Sequence, residues 1–130
     1  MKFILDTSAY SEFNRGNAKL RQWFQSSYEI IVPLIVVGEL RAGFAAGDRR
    51  DSNEQLLQRF LDSPNVHTAT ITDTTTQLFA QAYLELRLAD TPMGTNDLWI
   101  AAISIELQCP LLTADSDFSR IEALKLLKLQ

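Results

Sequence analysis

At 130 residues the chain has room for one domain of ordinary size and not for two, and its 46% hydrophobic against 22% charged residues exclude an intrinsically disordered chain. A formal net charge of −4 excludes a broadly basic surface for gripping nucleic acid, so any such partner has to be engaged locally. The single cysteine, Cys109, excludes an internal disulfide and a thiolate-rich zinc site, and fits a reducing, cytoplasmic compartment.

The first apolar stretch, residues 3–5, is cut short by Asp6 with no small-residue cleavage site beyond it, so no export signal is expected. No apolar run is long enough to cross a bilayer, and no membrane association is expected. Residues 2–6 (KFILD) read as a first strand, followed by the turn-formers Thr7 and Ser8 and an amphipathic helix around Leu20, Trp23 and Phe24. Residues 30–34 (IIVPL) read as a second strand with Pro33 near its end, and residues 35–45 as a helix. Residues 48–61 place Leu56, Leu57, Phe60 and Leu61 at helical spacing with charges on the other face, which predicts a surface helix.

Residues 66–71 alternate like a half-buried strand, and Asp73 or Thr74 supplies a cap for the periodic run TQLFAQAYLELRLA. Residues 97–107 (DLWIAAISIEL) are apolar on nearly every side, as a central helix packed on several neighbours requires. Residues 111–113 and 124–129 read as late strands. With no internal repeat and no linker composition, the alternation predicts a single α/β domain over residues 1–130, a parallel sheet covered by helices on both faces in a Rossmann-like three-layer arrangement.

In open α/β sheets ligands bind outside the carboxyl ends of the strands. At those ends the sequence places only acids: Asp6 closing the first strand, Glu39 one turn past the second, Asp97 opening the apolar helix, and Asp115 and Asp117 after the strand over residues 111–113. Each has an ordinary use. An Asp after a strand is a common turn former or helix cap, an acid early in a helix complements the macrodipole, and Asp115 with Asp117 also reads as an acidic turn. Glu39 is harder to place in this way, because its neighbours Ile35, Val36, Val37 and Leu40 predict a nearly dry setting.

Together the carboxylates repel one another, and a cation resolves the conflict. An oxygen-only set selects a hard ion, Mg²⁺ or Mn²⁺; Ca²⁺ also suits oxygen ligands, though no EF-hand loop is present. His67 is the sole histidine, so a paired-histidine ribonuclease mechanism cannot be assembled, and His67 itself reads as a surface or strand residue. Neither a P-loop nor a dinucleotide glycine fingerprint occurs. A response-regulator receiver domain needs an Asp after its middle strand and a late Lys, and a haloacid-dehalogenase phosphatase needs a second Asp where this chain has Ser8.

The strings FILDTS, VVGELRAG, MGTNDLWIAA and LLTADSDFSRI, in this order across residues 3–121, resemble the motif blocks of the PIN domain, in the manner of the VapC toxins of type II toxin–antitoxin pairs. The resemblance implies an acidic pocket holding one or two Mg²⁺ or Mn²⁺ ions and hydrolysis of RNA phosphodiesters by metal-activated water. Carried over by motif, Asp6 and Asp97 are the main metal ligands, Glu39 and Asp115 complete the acidic quartet, and Asp117 supports a second ion or positions water. The division of labour between Asp115 and Asp117 stays open. Ser8 matches a small polar position that hydrogen-bonds within such pockets.

The resemblance further implies a small VapB-like antitoxin covering the active-site groove, with Trp23, Phe24 and Phe44 as candidate lining residues or core, and a homodimer. Arg15, Lys19, Arg41, Arg49 and Arg50 are candidates to hold the RNA backbone at the rim, and also read as solvated helix charges. The non-enzymatic alternative is a PIN-like scaffold that binds RNA or protein without cutting.

Overall fold

The computed structural model of this chain describes residues 1–127. In chain order the described elements are β1 (Lys2–Leu5), α1 (Thr7–Asn14), α2 (Ala18–Ser26), β2 (Glu29–Pro33), α3 (Leu34–Ala46), α4 (Arg50–Leu61), β3 (Val66–Ala69), α5 (Asp73–Leu88), α6 (Thr95–Leu107), β4 (Leu111–Leu112), a 3₁₀ helix (Ser116–Arg120) and β5 (Leu126–Leu127). The strands form one sheet in the order β3-β2-β1-β4-β5, every pair parallel.

β1 is central, and its run of Phe3, Ile4 and Leu5 is fully buried, as a strand covered on both faces requires. From β1 the chain steps outward through β2 to β3, then crosses back to β4 and β5 on the other side. Crossovers between parallel strands are right-handed as a rule, so steps in opposite directions put the helices of the two arms on opposite faces of the sheet. The reversal also opens a crevice between the carboxyl ends of β1 and β4. α6, with Leu98, Ile100, Ala101, Ala102, Ile103 and Ser104 all buried, is the central helix its composition predicts.

On the β1–β2–β3 arm the core is aromatic. Phe24 of α2 stacks on Phe13 of α1 at 4.1 Å between ring centroids, and tilts against Phe3 of β1 and Phe60 of α4, both at 5.8 Å. Phe24 is therefore packed against the core while remaining partly exposed.

Local chemistry moves several boundaries. Thr7 and Ser8 are not a turn but the first residues of α1, because the Asp6 side chain accepts the Ala9 N–H and caps the helix directly from the strand. The expected single helix around Leu20 is two: α1 ends at Asn14, two residues on Gly16 turns the chain with a φ of +87° that an L side chain rarely adopts, and Asn17 caps α2 through the N–H groups of Lys19 and Leu20. Thr72, not Asp73 or Thr74, caps α5, in a reciprocal box with Thr75.

β3 stops at Ala69, two residues earlier than its alternation suggests, and His67 within it is exposed. In α4 only Leu57 is fully buried, while Leu56 faces solvent. The last strand is seen at Leu126–Leu127, and the remainder of the expected strand, residues 128 and 129, lies outside the described residues. No helix among the described residues is long and apolar enough to cross a membrane.

Candidate active site

β1 and β4 pair with Leu5 opposite Leu112, so the next residues, Asp6 and Thr113, leave the sheet side by side at its carboxyl edge. Both are buried, Asp6 at 3% exposure. The Asp6 carboxylate accepts the Ala9 N–H at 2.8 Å, the Ser8 hydroxyl at 2.9 Å, and the Thr113 hydroxyl. Burial raises the Asp6 carboxyl above its ordinary value, the bonds from Thr113, Ala9 and Ser8 pull it back down, and the nearby charge of Asp115 raises it. Ser8 in turn accepts the Ala114 N–H at 3.0 Å, and Thr113 accepts the Asp115 N–H at 2.9 Å, so two hydroxyls stitch the end of β1 to the segment after β4.

The other acids arrive on separate elements. Glu39 lies on α3, is half-buried rather than dry, and is anchored by the Thr7 hydroxyl at 2.8 Å. Asp97 is the third residue of α6, not its first, where a carboxylate complements the helix dipole. Asp115 caps the 3₁₀ helix by accepting the Asp117 N–H at 2.9 Å, and Asp117 is exposed.

Asp97 reports their proximity. Its carboxyl is pushed up to about 6, first by burial and then by the charges of Glu39, Asp115, Asp6 and Asp117 in that order. The charges facing Asp97 are thus the same four acids that the strand ends predict. The sequence marks Thr7 only as a turn-former and does not mark Thr113, although both lie inside the motif strings, next to Asp6 and two residues before Asp115. A hydroxyl beside an acid in sequence says nothing of which carboxylate it will serve until the strands are paired.

In chemistry this donor set fits a hard divalent cation, being carboxylate oxygen throughout with hydroxyls behind it. In geometry the side chains as they stand are spread, and among the described residues no three His, Cys, Asp or Glu converge closely enough to hold an ion. The Asp6 oxygens in particular are turned onto their cap and hydroxyl partners. Ligation there requires carboxylate rotation within a pocket whose backbone is already placed.

The basic residues expected at the rim are partly committed elsewhere. Arg15 pairs with Glu12, Arg41 reaches across to Glu54 of α4 at 2.7 Å, and Arg41, Arg50 and Phe44 line a hollow between α3 and α4. Trp23 is half-buried on α2, with an indole N–H that has no hydrogen-bond partner among the described residues.

Comparison with known proteins places this geometry in context. The chain matches the family model of the PIN domain over residues 3–124. Ribonuclease VapC5 of Mycobacterium tuberculosis is 26% identical over 121 residues, spanning 92% of this chain and 87% of that protein. Ribonuclease VapC4 of the same organism is 32% identical over 100 residues, 72% of each. Among solved structures, VapBC2 from Rickettsia felis bound to a DNA fragment from its promoter superposes with a TM-score of 0.87 at 23% identity over 98% of both chains, a likeness of fold.

Proposed function

The chain belongs to the PIN-domain family, and from that premise we propose that it is a metal-dependent endoribonuclease, the toxin of a type II toxin–antitoxin pair. The observation that carries this reading is the gathering of five carboxylates from four separate elements at the carboxyl edge of the sheet, where burial first and then the charges of the other four raise Asp97 to about 6. Two curated relatives are named as VapC ribonucleases, which supports RNA as the substrate.

Asp6 and Asp97 are the ligands of Mg²⁺ or Mn²⁺, Glu39 and Asp115 complete the set, and Asp117 assists from the exposed rim. A divalent ion bound there supplies Lewis acidity towards the phosphate and lowers the pKa of water. The protein's own part is positional. Ser8 and Thr113 hold the Asp6 carboxylate, Thr7 holds Glu39, and α6 carries Asp97 in its first turn. These bonds keep the acids on a fixed backbone at the pocket, so that only carboxylate rotation separates them from an ion.

The VapBC assembly named for the structural relative supports a small VapB-like antitoxin as the protein partner; a homodimer and a cytoplasmic compartment are part of the same proposal. The test is cleavage of mixed RNA by protein refolded free of any co-purified inhibitor, in Mg²⁺ or Mn²⁺ against EDTA. Cleavage that needs the ion and is lost in Asp6→Asn and Asp97→Asn is expected. A well-folded wild type that binds RNA without cutting it under either ion indicates a non-catalytic scaffold.

A further inference from the structure

An acidic pocket that works on a polyanion needs at least one cation beside it to hold the backbone. Several basic side chains are far from the acids or turned away. Lys2 pairs with Glu29 at 3.3 Å where β1 and β2 begin, and Lys125 directly precedes β5, so both sit at the opposite edge of the sheet. Arg15 follows an eight-residue helix that starts at the pocket, about 12 Å away at 1.5 Å per residue. Arg41 lies two residues past Glu39, roughly 200° around α3, and is bound to Glu54.

Arg120 differs from all of these. It closes the 3₁₀ helix that Asp115 caps, and its guanidinium lies 3.2 Å from the carboxylate of Asp117, one of the acids that act on Asp97. Residues three apart eclipse in a 3₁₀ helix, so the short turn itself sets Arg120 over Asp117. Both side chains are about half exposed, and such a pair adds little to stability, so exchanging one partner is inexpensive. One terminal nitrogen meets Asp117, while the planar head carries five N–H donors in a fork that matches phosphate.

Building on the ribonuclease reading, we propose that Arg120 is a substrate-binding residue that grips an RNA phosphate flanking the scissile one, with Asp117 holding its head in place until RNA arrives. The fork leaves Asp117 for the phosphate, or bridges the two. Arg120 acts on binding and takes no part in the chemical step.

The experiment is steady-state cleavage of a short single-stranded RNA by wild type, Arg120→Ala and Arg120→Lys over a series of salt concentrations. Arg120→Ala is expected to raise KM roughly tenfold, as loss of one charge-assisted contact does, with kcat within about twofold. Its plot of log(kcat/KM) against log salt should be shallower by about 0.7, one phosphate's worth on a single strand. Arg120→Lys should recover that slope and only part of the KM. A merely structural arginine would not move the slope.

Unchanged KM and slope in Arg120→Ala, or a fall in kcat alone, overturns the proposal and leaves the ribonuclease reading intact. Should Arg120→Ala fail to fold, Arg120→Gln replaces it, and a wild-type slope there overturns the proposal equally. A wild type that cleaves no RNA overturns both.

Discussion

The Thr113 hydroxyl donates to Asp6 and accepts the Asp115 N–H at 2.9 Å, so one oxygen links the acid that ends β1 to the acid that follows β4. Thr113→Val keeps the shape and removes both bonds. It should destabilise the fold by about 1–3 kcal/mol, because a buried carboxylate and a backbone donor lose their partner. The Asp6 carboxyl also loses the hydrogen bond that lowers it most, so its titration, and with it the acidic limb of RNA cleavage, should move to higher pH. Thr113→Ser should behave as wild type. A Thr113→Val protein with an unshifted melting midpoint and pH–rate profile would remove Thr113 from the site.

Glu106 provides the opposite case, an acid that serves the fold alone. It accepts the hydroxyls of Thr72, at 2.7 Å, and Thr75, tying the capped start of α5 to the last turns of α6. Glu106→Ala should lower stability by about 1–2 kcal/mol through the loss of this clip, while leaving kcat and KM for RNA unchanged at a temperature where the protein stays folded. Lost cleavage without lost stability would place Glu106 in the active site instead.

The contrast between Glu106 and Asp97 shows how much of the site the sequence could carry. The parallel sheet was readable because a parallel strand buried on both faces is a short apolar run, and Asp6 stands out as an acid directly at the end of one. Hydrophobic pattern also placed α6, whose apolar faces all find partners. Missed were the side-chain bonds that cross between segments. Thr7 reaching Glu39 and Thr113 reaching Asp6 each depend on how the strands pair, which the apolar run of residues 2–6 does not encode. Phe24 shows the same limit: one aromatic on an amphipathic helix reads alike as groove or core until Phe3, Phe13 and Phe60 surround it.

In EDTA, Asp97 should weaken the protein at neutral pH. Its folded carboxyl titrates near 6 against an ordinary value of 3.8, so the folded state holds the proton more tightly than the unfolded chain does. The contribution is favourable and fully present below about pH 3.8, and is lost as pH rises through about 6. Asp97→Asn carries no such charge, so its stability relative to wild type should climb between about pH 4 and 6 and level off above 7. The gain should be of order 1 kcal/mol, since the group is partly exposed and its repulsions are screened. Urea titrations of both proteins at pH 4.5 and pH 7.5 read the difference directly, and a gap that is the same at both pH values contradicts the assignment.

Adding a divalent ion should reverse that order. Asp6, Glu39, Asp97 and Asp115 repel one another in the ion-free protein, and an ion that binds only the folded state offsets the repulsion and stabilises by mass action. At one hundred times its dissociation constant the gain is about 2.7 kcal/mol, which on a domain of this size raises the melting midpoint by roughly 10 °C. Mn²⁺ should act at lower concentration than Mg²⁺, following the usual order for such ligands. Protons compete for the same oxygens, so the gain should shrink as pH falls through the Asp97 titration near 6. Asp97→Asn starts from equal or higher stability without the ion, yet should lose most of the response if Asp97 is, as proposed, one of the two main ligands. Simple screening of repelling charges would instead act through ionic strength and be reproduced by NaCl at matched strength. Equal Mn²⁺ responses in wild type and Asp97→Asn, or a wild-type response that NaCl reproduces, would show that these carboxylates do not form the ion's binding site.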